Sequence, residues 1–245
     1  KMLGYTPTSP KSPVATVDIT LNNVTGSPAT VTAAKGTAFT TTVDGQTYQF
    51  VTNASETITP ASGVYKFSNL SLYEGTLVTF KYTADSTDVD QRFIIPSVNA
   101  DTTTLKVSVQ NSASDTTTST YTLATGITSI SSDSKVYFLQ EMEDGKFEVY
   151  FGDDVLGKKL TDGNIVILEY IVSNRDEANG ASSFTLSGTV GGFTDVTITT
   201  VSNAQGGAEA QSKESIRYNA PLQYTAQDRA VTTSDYESLV QYILI

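Results

Sequence analysis

The run Ile165-Val166-Ile167-Leu168-Glu169-Tyr170-Ile171-Val172 decides the fold class. A strand with one solvated face alternates apolar and polar residues, whereas this one is apolar on both faces. That is the pattern of a strand covered from above and below, so the run predicts the central strand of its sheet. On either side the chain keeps the strand period. Upstream, Val136–Gln140 and Lys146–Phe151 flank Asp144-Gly145, a dipeptide that favours a primed turn between antiparallel strands. Downstream, Phe184–Val190 and Val196–Val201 read as further strands, separated by Gly191-Gly192.

The same reading extends to the start of the chain. Lys1–Pro13 holds Pro7, Pro10 and Pro13 and predicts an extended, non-helical lead-in. Val14–Leu21 then sets Ala15, Val17, Ile19 and Leu21 on one face and Thr16, Asp18 and Thr20 on the other. Phe39–Val43 and Gln46–Val51 flank Asp44-Gly45, a second primed-turn signal, and Val64–Leu70 and Leu77–Tyr82 follow. Ala84–Asp90 is polar and acidic and reads as a linker. A second β region opens at Arg92-Phe93-Ile94-Ile95-Pro96 and continues through Leu105, Val107 and Val109. Asn111–Thr120 has no bulky aliphatic residue and predicts a mobile hairpin tip.

After Gly206 the chain changes character. Ser212–Ala220 is helix-compatible and is expected to stop at Pro221. Ser234-Asp235-Tyr236-Glu237 is a capping box. The helix it opens sets Tyr236, Leu239, Val240, Ile243 and Leu244 on one apolar stripe, the candidate interface of this sequence. The expected organisation is mainly β with a C-terminal helical segment: two antiparallel, sandwich-like units plus helices after residue 206. The boundaries are a first β unit over 1–83, a second over 84–180, strands returning to the β core over 181–205, and a helical segment over 206–245.

Bulk properties exclude several functions. The chain has 245 residues, a net charge of −11 and no basic run, which disfavours nucleic acid as a partner. There is no Cys and no His, so disulfides, thiolate metal sites and Ser-His-Asp or Cys-His nucleophile systems are out of reach. The missing disulfides favour assembly in a reducing cytoplasm. No segment approaches the ~20 apolar residues of a membrane-spanning helix. The chain opens on Lys1 rather than Met and closes on Leu244-Ile245, which reads as a piece of something longer.

What chemistry remains rests on carboxylates. Asp153, Asp154 and Glu169 are the acids available for a glycoside hydrolase pair, and Asp153, Asp154 and Asp162 the only set suggesting Ca²⁺. The first two sit among glycines at a strand end, where acids serve turns. Their order also lacks the alternating Asp-Xaa-Asp pattern of a calcium loop. The expectation is therefore no catalytic residue, no metal and no cofactor. Tyr48, Phe50, Tyr65, Phe67, Phe80 and Tyr82 are spaced as strand residues and read as core rather than as a sugar-binding platform.

Several motifs carry a resemblance. Gly206-Gly207-Ala208-Glu209, Glu214-Ser215-Ile216-Arg217 and Asp228-Arg229-Ala230-Val231-Thr232-Thr233-Ser234-Asp235-Tyr236-Glu237 resemble the baseplate J-like family of contractile-tailed phages, which includes wedge proteins of the T-even type. Phe151-Gly152-Asp153, Gly157, Gly163, Val166, Tyr170 and Asn179-Gly180 resemble a pattern common in phage baseplate proteins. Asp154 departs from it, since Gly is usual there. The resemblance implies a non-enzymatic part of the inner ring of a tail baseplate, in the virion and assembled in the host cytoplasm. It implies two-fold homo-oligomers, other baseplate wedge proteins as partners, and a ring that changes shape on sheath contraction. Two other readings remain: an adhesin or receptor-binding β module, and a tail-associated carboxylate hydrolase.

Overall fold

A computed structural model describes residues 5–88, 90–125 and 130–226, with side chains as far as Leu222. The chain divides into two compact units, Pro10–Glu209 and a smaller one formed by Lys1–Ser9 with Ala210–Ile245. All the strands among the described residues lie in the larger unit and are numbered in chain order. One six-stranded sheet contains β1 (Val14–Leu21), β3 (Ala38–Val43), β4 (Gln46–Val51), β6 (Lys66–Glu74), β14 (Thr185–Ser187) and β15 (Val196–Gln205), in the order β14-β3-β4-β6-β1-β15. β2 (Val31–Ala33) and β5 (Glu56–Ile58) form a small pair.

The second sheet contains β7 (Thr76–Thr83), β8 (Phe93–Ile95), β9 (Ala100–Gln110), β10 (Thr118–Leu123), β11 (Val136–Glu141), β12 (Phe147–Phe151) and β13 (Ile165–Val172). Its order is β7-β13-β9-β10-β11-β12-β8. β10 and β11 run parallel, and the other pairs are antiparallel.

The chain is mostly β, with a short helix near its end, as the strand period predicts. β1 has the expected bounds, with Ala15, Val17 and Ile19 fully buried. Each sheet builds its own core. The first gathers Val17, Ile19, Phe39, Phe50, Phe67 and Leu72, with Phe50 edge-on to Phe184 at 5.0 Å. The second gathers Phe93, Ile95, Val149, Val166, Leu168 and Tyr170.

The sheets are barrel-like rather than sandwich-like, because the ends of each sheet approach one another around these separate cores. In the first, Gly180–Ala181, just before β14, exchanges backbone hydrogen bonds with Ala204 of β15. In the second, Tyr82 of β7 lies edge-on to Phe93 of β8 at 5.7 Å and donates its hydroxyl to the Ile94 carbonyl.

Several expectations are corrected. β7 was assigned to the first β unit, but it pairs along its whole length with β13 in the second sheet. The hand-over is one residue, Gly75, at φ +118, where a Cβ would lie 2.2 Å from the Val172 carbonyl oxygen. β13, expected at the centre of its sheet, is second from an edge. It is nonetheless internal, between β7 and β9, and Leu168, Tyr170 and Ile171 are fully buried.

In the smaller unit, α1 (Lys213–Ala226) continues through Pro221 instead of stopping before it. Proline fits helical φ, but in a helix interior it removes the hydrogen bond to the carbonyl four residues back and crowds that carbonyl, so the helix passes Pro221 at a cost. The Ser212 hydroxyl caps the helix, accepting from the Ser215 amide at 3.2 Å. Ahead of it, Tyr5 donates to the Gln211 side chain at 2.8 Å.

Both Asp-Gly dipeptides are hairpin tips. Asp44 and Gly45 have φ +49 and +81, the primed turn expected between β3 and β4. At Asp144-Gly145 only the glycine is left-handed, at φ +78. The Gly145 amide donates to the Met142 carbonyl at 3.1 Å, and the Met142 amide donates to that of Lys146 at 2.7 Å. The longer loop therefore closes as an ordinary turn followed by a left-handed glycine, not as a primed turn.

Candidate functional site

Two places in the larger unit concentrate the motif residues. The first is the turn after β12. Asp153 Oδ1 accepts from the Val155 amide at 3.0 Å and the Leu156 amide at 2.9 Å. These bonds, Leu156 first, hold its carboxyl below the usual carboxylate range. Asp154 stands at φ +69, donates its amide to the Gly157 carbonyl at 3.0 Å, and accepts from the Lys159 amide at 2.9 Å. The left-handed backbone explains why the resembled pattern has Gly at this position; Asp is among the few other residues that tolerate it. Gly152 and Gly157 press together: a Cβ on Gly152 would lie 2.2 Å from the Gly157 carbonyl.

The second place is the seam beyond the ends of β6, β13 and β15. The Asn179 carboxamide pairs with the Gly207 backbone, donating to its carbonyl at 2.9 Å and accepting from its amide at 3.0 Å. Gly207 has no room for a side chain, since a Cβ would lie 2.4 Å from Pro13 and 2.5 Å from the Arg175 carbonyl. Arg175 bridges Glu209 at 2.8 Å and the Asn99 side-chain oxygen at 2.9 Å. Motifs 28 residues apart in sequence thus meet at one seam.

Glu74 lies at the inner end of this seam, fully buried. Its carboxylate accepts from the Ser173 hydroxyl at 2.7 Å, the Asn174 amide at 2.8 Å and the Asn174 side chain at 2.7 Å. Asp101, also buried, accepts from the Ser12 amide at 2.8 Å and caps Thr103. Sequence reasoning missed both acids, although Glu74 left a signal: Leu70, Leu72 and Glu74 share one face of β6, so a carboxylate occupies a core position.

The sequence-predicted acids are not brought together. Asp153 and Asp154 order their own turn, and Asp162 accepts from the Ser86 amide at 3.0 Å. Glu169 is buried on β13 and paired with Lys35. Among the described residues no group of three or more acids is placed to hold a metal ion. Burial pushes the Tyr170 phenol up to about 12, consistent with a core position. Tyr65, Phe50 and Phe67 are likewise core residues, whereas Phe80 is exposed on the edge strand β7. Tyr236, Leu239, Val240, Ile243 and Leu244 lie outside the described residues. No described helix is long and apolar enough to cross a membrane.

The turn and the seam supply rigid backbone, not reactive groups, and their glycines and amides belong to the motifs that resemble baseplate proteins. A curated relative points the same way. The chain is similar to the baseplate wedge protein gp6 of Enterobacteria phage T4. The two are 30% identical over 131 residues, a match covering 44% of this chain and 20% of that protein. No protein-family model matches the chain.

Proposed function

We propose that this chain is a structural, non-enzymatic part of a phage tail baseplate. It joins wedges through contacts between its own copies and with other wedge proteins, and it changes shape when the sheath contracts. The observation that carries this reading is the similarity to a baseplate wedge protein. The packing supports it. The two curled sheets of the larger unit are tied by Glu74 to Ser173 and Asn174 and by Lys35 to Glu169. Such cross-ties suit a part that transmits force without unfolding.

The test is localisation with assembly. The polar hairpin tip between β9 and β10 is exposed and suits an epitope tag. Tails assembled from tagged protein are expected to bind gold-labelled antibody at the baseplate, and the protein is expected to sediment as more than a monomer at tens of micromolar. Label at a fibre tip, or turnover of peptidoglycan by the isolated chain, overturns the reading in favour of an adhesin or a hydrolase.

A further inference from the structure

The outer face of the second sheet carries a surface that neither core uses. Phe138 of β11 stacks on Tyr150 of β12, with ring centroids 5.1 Å apart and planes 17° from parallel. The Arg92 guanidinium lies over the Tyr150 ring, 4.1 Å from its centre. The neighbouring residues Tyr137, Phe147 and Val149 belong to the core, so strand alternation turns Phe138 and Tyr150 outward. Ile94, on the adjoining strand β8, is 37% exposed.

This stack has the chemistry of a protein contact. Aromatic and Arg side chains supply most hot spots, and Phe138 and Tyr150 are held in place by hydrogen-bonded strands before any partner arrives. Stacking engages the face of the guanidinium and leaves its N–H edge for a carboxylate. Yet none of the ion pairs among the described residues involves Arg92, in a chain with 26 acids and 15 bases. The loop leading into β8 carries Asp88 and Asp90, both exposed and likewise outside those ion pairs. An aromatic pair with Arg92 beside it, sharing its face with the buried Glu148 opposite Ile94, and an exposed acidic stretch therefore lie close together in one chain. An isologous contact brings such stretches together twice, Arg92 of each copy meeting the acidic stretch of the other.

We propose that this face joins two copies of the chain. Arg92 of each copy reaches Asp88 or Asp90 of the other, while Phe138, Tyr150 and Ile94 exclude water from the centre. The inference rests on the self-association in the proposed function and names its surface. Sedimentation equilibrium on the wild type, on Arg92→Asp, on Asp88→Arg with Asp90→Arg, and on the triple charge swap tests it. The wild type is expected to dimerise, and each half-swap to raise the dissociation constant about tenfold or more by setting like charges together. The triple swap is expected to recover the dimer. Tyr150→Ala, which removes the stack without changing charge, is expected to weaken the dimer while the chain keeps its far-UV circular dichroism. A dimeric wild type whose Arg92→Asp and Tyr150→Ala variants stay dimeric overturns this surface and leaves self-association standing. A monomeric wild type overturns both.

Discussion

Asn179 and Gly207 hold each other in both directions, the carboxamide donating to the glycine carbonyl at 2.9 Å and accepting from its amide at 3.0 Å. The pair fastens the segment before β14 to the chain leaving β15. Asn179→Ala removes both bonds at an exposed position, where water replaces them in part. The expected loss is about 1 kcal/mol in urea unfolding. Asn179→Asp keeps the acceptor but turns a second oxygen toward the carbonyl, so it should be no more stable than the alanine variant.

Gly152 and Gly145 separate crowding from backbone strain. Around Gly145, at φ +78, no atom lies within 4 Å of a built Cβ, so Gly145→Ala meets only left-handed strain of about 1 kcal/mol. Gly145→Val should lose somewhat more, because a branched Cβ resists positive φ. Gly152→Ala instead drives a Cβ to 2.2 Å from the backbone of Gly157. The turn cannot yield without breaking the Asp153 cap, so the loss should reach about 3 kcal/mol. Equal melting temperatures for Gly152→Ala and Gly145→Ala would refute the crowding argument.

Asp154 has two opposing roles, a left-handed backbone at φ +69 and a hydrogen bond from the Lys159 amide. Asp154→Gly relieves the first and forfeits the second. Each is worth about 1 kcal/mol, so the variant should stay within about 1 kcal/mol of wild type. Asp154→Val loses both advantages and should be clearly destabilised in the same thermal scan.

Much of this architecture is legible in the residues. Val14–Leu21 announces its buried face by alternation, and Asp44-Gly45 announces its turn by the two left-handed positions it supplies. The course of β7 is not legible. β6 and β7 are separated only by Gly75, and nothing local distinguishes a continuing strand from one sent to another sheet. That depends on Gly75 reaching φ +118 against the Val172 carbonyl, a neighbour remote in sequence. The seam is half legible: Gly207 and Asn179 stand out as motif residues, but their pairing is a tertiary fact. Pro221 misleads because a proline stop is only a local preference, which α1 overrides.

Acid should loosen the fold through its capped carboxyls. Asp153 is held below its ordinary value of 3.8 by the Leu156 and Val155 amides, and Asp144 is lowered by Lys146. A depressed folded pKa contributes stability that is present above the unfolded value and is lost as pH falls through the folded one. The urea midpoint should therefore fall below about pH 4. Asp153→Asn keeps a neutral acceptor and should be less stable than wild type at neutral pH. The two should converge as pH falls through the folded pKa of Asp153, below which it is protonated in both states. A constant gap between them across this range would rule out the titration of Asp153 as the cause.

Glu74 provides the most demanding test, because its carboxylate is fully buried and accepts from three donors. Two of these converge on Oε2, the Ser173 hydroxyl and the Asn174 amide, while the Asn174 side chain approaches Oε1. Glu74→Gln preserves the shape but replaces one oxygen with an NH₂ group. If the nitrogen takes the Oε1 position, it faces the Asn174 side-chain donor, which can flip and accept instead. If it takes the Oε2 position, it opposes a backbone amide that cannot turn. The first arrangement should prevail, with a loss of about 1 kcal/mol, the usual scale for weakening hydrogen bonds to a charged group. Glu74→Leu leaves the Ser173 hydroxyl and both Asn174 donors without their acceptor beside Gly75. The buried Ser173 hydroxyl is left unsatisfied at about 1–3 kcal/mol, while water takes over part of the bonding to exposed Asn174, so that variant should unfold at lower urea. A Glu74→Leu protein as stable as wild type would mean that solvent reaches the seam, and that Glu74 does not bind the two sheets together.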